Sequence, residues 1–157
     1  MVEGVLETWR VHDGLNLFLL GRVPDEGLQA VTLLKNGQPS TGRNVGRVFA
    51  HMVEVRVSHL PKALQGDTVT LEKKPLPSKA QIQAALEASA AAVEATLRAS
   101  LEGDPRIKNP TRTGVRLLGY LISHESHHRG QIMLALKQSG IRLPDDVRFG
   151  LWTPWLK

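Results

Sequence analysis

The sequence predicts an all-α protein, a four-helix bundle with crossover connections, and three observations predict it. Aromatic residues are 4% of the 157 residues, while alanine and leucine abound; helices favour the latter, strands the former. Four long segments carry apolar residues at three- and four-residue spacing, the period of a helix with one buried face. Proline- and glycine-rich stretches separate those segments, and connections of about 20 residues leave room for a crossover.

The first helix is expected over about Val2 to Arg22. Leu6, Trp9, Leu17 and Leu20 share a broad face, and Val23–Pro24–Asp25 ends it. Gly14 and the alternation from Leu15 to Leu19 leave a strand as the alternative there. Residues 23 to 42 hold Pro24, Gly27, Gly37, Pro39 and Gly42 and read as a connection with room for short helical turns. The second helix is expected from Asn44, a plausible N-cap, to Leu60, where Pro61 closes it. Val48, His51, Met52, Val55 and His59 form its inward face. Residues 61 to 77 are a second connection, with Val69–Thr70–Leu71 as a brief extended piece. The third helix starts at Ser78, with Gln81 three residues on in a capping-box pattern, and runs to about Leu101. Its core stripe is Ile82, Leu86, Ser89, Val93, Thr96 and Leu97. Residues 103 to 110 turn the chain. The fourth helix is expected from near Thr111 to Gln138, closed by Ser139–Gly140. The tail is expected to cross back over the bundle through Trp152 and Trp155.

The length suits one domain over residues 1–157. Hydrophobic residues at 41% and charged residues at 22% are ordinary for a globular chain. The absence of cysteine excludes disulfides, thiolate nucleophiles and Cys-ligated zinc, and fits a cytoplasmic protein. Met1 to Arg10 carries Glu3 and Glu7 and lacks a basic region followed by an apolar one, so no signal peptide is expected. No apolar run approaches the roughly 20 residues that span a bilayer. The net charge is +5, yet the basic residues are dispersed: Arg43, Arg47, Arg56, Arg98, Arg112 and Arg116 stand singly. No aromatics interleave with them as a stacking platform for single strands requires. Nucleic acid is therefore not an expected partner. The charge reads as a solvated surface, with a few arginines able to attract an acidic ligand.

The stretch that carries chemistry is Ser123–His124–Glu125–Ser126–His127–His128–Arg129–Gly130–Gln131. On a helix, residues four apart lie about 40° apart around the axis and about 6 Å apart along it. His124 and His128 therefore point the same way, and two imidazoles so placed can reach one metal ion. They sit in the row Leu117, Leu121, His124, His128, Gln131 and Ala135, a polar break in an apolar stripe. Such a break costs free energy unless its groups are satisfied, and a shared ion satisfies both rings. A third ligand must come from another helix. His51, on an apolar face between Val48 and Val55, is the candidate. His127, three residues from His124, is an alternative partner in the pair. His12 can line the same cavity or be an ordinary core histidine, and His59, two turns beyond His51, reads as a non-ligand.

At these residues the sequence resembles the DinB/YfiT-like family of metal-binding four-helix bundles. The resemblance rests on His51 within Val48–Phe49–Ala50–His51–Met52–Val53–Glu54–Val55–Arg56 and on the run His124–Glu–Ser–His–His–Arg–Gly–Gln131. It extends to Trp9, Gly42–Arg43 and the tryptophans of the tail. It implies a crossed helix order, a metal triad of His51, His124 and His128, and a homodimer. It also implies a metal-dependent transferase or hydrolase that uses a low-molecular-weight thiol such as bacillithiol or mycothiol. The alternative is a non-catalytic, stress-associated protein that binds a metal or small ligand.

Three neutral imidazoles leave the ion its full charge, so a bound water or thiol is activated near neutral pH. Zinc or nickel leads the expected metals, and iron also suits three nitrogens. With no cysteine, a thiolate must come from a cosubstrate, which sits with a small-molecule substrate as the expected partners. Glu125 points about 100° away from its neighbour His124 and reads as a supporting or structural carboxylate. Arg129 is expected to pair with Glu125 or to anchor an anion. Gln131, in line with the ligands, is expected to orient one of them. Gly130 is read as a site of close helix packing, and Arg56 as a candidate for the cavity wall.

Overall fold

The computed structural model describes residues 1–72 and 74–156; Lys73, in the second connection, and Lys157, at the end of the tail, lie outside it. The described chain is helical, with α1 over Val2–Arg22, α2 over Val45–His59, α3 over Lys79–Glu102, α4 over Pro110–Thr113, α5 over Val115–Gln138 and α6 over Asp145–Gly150. Short 3-10 turns follow α1, α2 and α6. No strand forms among the described residues; Val69–Thr70–Leu71 has no ladder partner, and one isolated bridge joins Leu33 to Pro39.

Local chemistry sets the helix ends. Asn44 Oδ1 accepts the Arg47 N–H at 3.0 Å and caps α2. Ser78 Oγ accepts from the Gln81 backbone at 3.2 Å while Gln81 Oε1 accepts from the Ser78 backbone at 2.9 Å, a complete capping box on α3. Gly103 ends α3 with φ of 77°, a left-handed position that glycine adopts without a Cβ penalty.

The fourth predicted helix is not continuous from Thr111. The chain turns at Gly114, separating α4 from α5. A Cβ there would meet the Pro110 carbonyl oxygen at 2.8 Å and Ser100 Oγ at 3.2 Å. Thr113 Oγ1 donates to Ser100 Oγ at 3.1 Å, which fastens the break to α3.

Two apolar clusters fill the bundle. One gathers Leu19 and Leu20 of α1, Phe49 and Met52 of α2, Ile82 and Leu86 of α3, and Ile132 and Leu136 of α5. The other gathers Leu6 and Trp9 of α1, Val93 and Leu97 of α3, Leu117 and Leu121 of α5, and Leu60 just past α2. Helices α1 and α5 thus run from the second cluster to the first, and α2 and α3 run the opposite way. Helix α1 packs on α3 and α5, and α2 packs on the same pair. Neighbours α2 and α3 are parallel, so the chain between them returns along the bundle: this is the expected crossover.

Between the clusters lies a buried polar layer of His12, Asp13, Asn16, Arg56, Ser89, Glu125 and Arg129. The tail departs from expectation. Trp152 is 70% exposed and Trp155 39%, whereas Leu143 and Val147 are buried in the first cluster. Leu143 and Val147 dock the tail, and of its tryptophans Trp155 reaches the bundle, its ring centre 6.4 Å from that of the buried His12.

Candidate metal centre

Helices α2 and α5 pack side by side at the level of the polar layer, and this brings His51 to His124 and His128. One ring nitrogen from each of the three lies within 4.8 Å of the others. His124 and His128 oppose their Nε2 atoms at 3.1 Å. The His51 ring centre is 5.4 Å from that of His124 and 5.0 Å from that of His128. Two imidazole nitrogens that share a tetrahedral ion at about 2.0–2.1 Å stand roughly 3.3 Å apart, so the pair has the spacing of co-ligands.

The protonation of the rings agrees with that fit. His128 Nδ1 lies 2.8 Å from Gln131 Oε1, which can only accept, so the proton sits on Nδ1 and Nε2 offers its lone pair. Burial, with His51 and Arg43 nearby, holds His128 below the usual histidine range against the pull of Gln131. Burial, then the neighbouring His128 and His51 rings, pushes His124 down to about 4. Both rings are neutral at pH 7, as ligation requires. The buried Nδ1 of His124 has no hydrogen-bond partner among the described residues, and without an ion its Nε2 can donate to the His128 Nε2 lone pair at 3.1 Å. The donor set, all neutral nitrogen, suits zinc, nickel or iron.

The sequence pattern of the DinB family matches residues 1–153. The chain belongs to the DinB family. No curated protein and no solved structure matches it. In this DinB-family chain the three histidines that the sequence singled out stand together, and His127, though its ring centre is 5.2 Å from that of His128, offers no nitrogen to the group. His127 is exposed and takes the other end of the Gln131 amide at 2.9 Å. Gln131 therefore clasps both rings, the expected orienting role for His128.

The remaining candidates belong to the polar layer, not to the triad. Glu125 is fully buried. Arg56 donates to it from Nε at 2.7 Å and from Nη2 at 2.9 Å, and Asn16 Nδ2 donates at 2.6 Å. His12 Nε2 contacts the same carboxylate at 2.9 Å. Burial alone would raise the Glu125 carboxyl, but the Arg56 charge and hydrogen bonds, with His12, overcome it and hold the group at about 2. Arg56 also faces Trp9, 4.8 Å from the ring centre, and its Nη2 lies 2.8 Å from Asp13 Oδ1. Arg56 is thus a buried counter-ion and no part of a cavity wall.

Three expectations need correction. Arg129 does not pair with Glu125; it donates to Asn16 Oδ1 at 2.7 Å and to Ser126 Oγ at 2.8 Å, because Arg56 already occupies the carboxylate. His12 does not line the triad's cavity; its ring is buried on Glu125, between Trp9 and Trp155. Gly130 is exposed and a Cβ there would meet nothing within 4 Å, so close packing does not explain it. Asp13 and Asn16 escaped the sequence reading; their signal was a polar pair on the apolar face of α1.

Beside His51 opens a hollow of about 720 Å³ whose wall includes Arg43, Arg47, Glu54 and Lys74. Tyr120 of α5 lies parallel to the His124 ring, with centres 5.7 Å apart and planes 18° from coplanar.

Proposed function

We propose that His51, His124 and His128 bind one divalent metal ion, zinc or nickel by preference and iron as a third candidate. The chain then acts as a metal-dependent transferase or hydrolase on a small molecule, with a low-molecular-weight thiol as cosubstrate. The observation that carries this reading is the pair of opposed Nε2 atoms 3.1 Å apart, with His51 completing the group from α2. An ion held by three imidazoles keeps an open position and supplies a Lewis acid that activates a water or thiol near neutral pH.

The chain's own part is to position. Gln131 turns the His128 lone pair inward. Tyr120 backs the His124 ring. The hollow beside His51 gives a substrate a way in, and Arg43 and Arg47 on its wall attract a negatively charged one. No side chain here is a thiol, so a sulfur nucleophile would arrive with the cosubstrate. The proposal includes a cytoplasmic homodimer, in keeping with the resemblance and the cysteine-free composition.

Metal analysis of the purified chain tests the premise. The wild type is expected to hold one equivalent, and His51→Ala and His128→Ala each to lose it; full occupancy in either variant would refute the ligand set. Turnover assays with several thiols and electrophiles then separate an enzyme from a non-catalytic metal binder.

A further inference from the structure

Where α2 ends and α4 and α5 begin, two adjoining hollows of about 370 and 540 Å³ share His59, Asn109 and Arg112 and so form one groove. Lys62, Lys108, Arg112 and Arg116 line it with His59 and Tyr120. Among the described residues no carboxylate lines either hollow. None of those four cations makes an ion pair among the described residues. Arg106, also on the wall, is already neutralised by Asp104 at 2.7 Å. Four like charges around one concavity, with no counter-charge among the residues described on its wall, focus a positive potential that an anion relieves.

The groove also touches the triad. His59 lies against Tyr120, ring centres 4.8 Å apart, and Tyr120 lies against His124. Tyr120 precedes His124 by one helical turn, about 6 Å along the axis. A molecule of modest size anchored in the groove therefore reaches the three histidines past a single ring.

We propose that this groove binds the anionic end, a phosphate or clustered carboxylates, of a small-molecule ligand whose other end reaches the three-histidine site. The link to the triad rests on the function proposed above; anion binding itself does not. A small molecule fits better than a nucleic acid because the cations converge on one hollow with one tyrosine beside them. No basic stripe with interleaved aromatics runs along a helix, as a bound strand would need.

The test is a chemical-shift titration of the full-length, metal-free chain with inorganic phosphate and, separately, succinate. Saturable shifts are expected at Lys62, Lys108, Arg112 and Arg116 and at the Tyr120 and His124 rings; the tighter of the two anions names the class. The double variant Arg112→Glu/Arg116→Glu should weaken binding at least about tenfold, and Lys62→Glu/Lys108→Glu, placed on other elements, should do the same. All four side chains are exposed and make no ion pair among the described residues, so both variants should keep the wild-type melting temperature. His51→Ala should bind the anion as the wild type does, which separates this inference from the metal reading. Non-saturating shifts, shifts centred on Arg43 and Arg47, or unchanged affinity in both double variants would overturn the proposal. So would a short RNA that saturates the same residues more tightly than either anion.

Discussion

Gln131 is the residue through which the chain controls its triad, because one amide holds His128 in the tautomer that offers Nε2. Partners that orient a ligand typically contribute ten- to a hundredfold in metal affinity. Gln131→Leu is expected to weaken zinc binding by about that factor, measured by competition with a chromophoric chelator; affinity within about twofold of wild type would assign Gln131 no such role. Glu125 supports the site differently, from beneath it. A carboxyl in the unfolded chain titrates near 4.5, and here it is held at about 2. The unfolded chain thus binds more protons between those values, so this group's stabilisation is present above pH 4.5 and is lost as pH falls through that window. Glu125→Gln is expected to cost about 3–5 kcal/mol at pH 7, since it leaves Arg56 buried with its main counter-ion gone. The difference should shrink toward pH 2, as urea denaturation at several pH values would reveal. The triad was legible in the sequence because two ligands share one helix face and the third interrupts an apolar face of its own. The Arg56–Glu125 pair was not. Charged side chains default to the surface, and only the register of α2 against α5 shows that these two meet in the core.

Helix boundaries follow local chemistry, and so most of them were legible from Asn44, Ser78, Gly103 and the prolines. The division of α4 from α5 was not, because it depends on Ser100 and Thr113, which come together only when α3 packs nearby. Two glycines of this region make opposite predictions. Gly114→Ala would set its Cβ against the Pro110 carbonyl, with loss of about 1–3 kcal/mol. Gly130→Ala fills open space in an exposed stretch of α5, so a gain of up to about 1 kcal/mol in stability is expected from helix propensity. Thermal melts of the two variants decide; a destabilised Gly130→Ala would mean that this glycine carries a constraint the packing does not show.

At the scale of the molecule, the bundle divides its apolar core in two and places charge between the halves. A layer that joins Arg56, Glu125, His12 and Asn16 admits one register of α1, α2 and α5, since a slip of one turn would leave a buried charge unpaired. That register sets His51 opposite His124 and His128. The helical class and the crossover were legible from periodicity and connection length. The polar layer was not, because each helix contributes only one to three residues to it. The central claim is that three imidazoles from two helices share one ion. X-ray absorption at the zinc edge of the zinc-loaded chain tests it most directly. Three imidazole nitrogens at roughly 2.0–2.1 Å in the wild type, and no imidazole shell in His51→Ala, which loses the ion, are the predicted result. A wild-type first shell with fewer than three imidazoles, or one unchanged by His51→Ala, would contradict it.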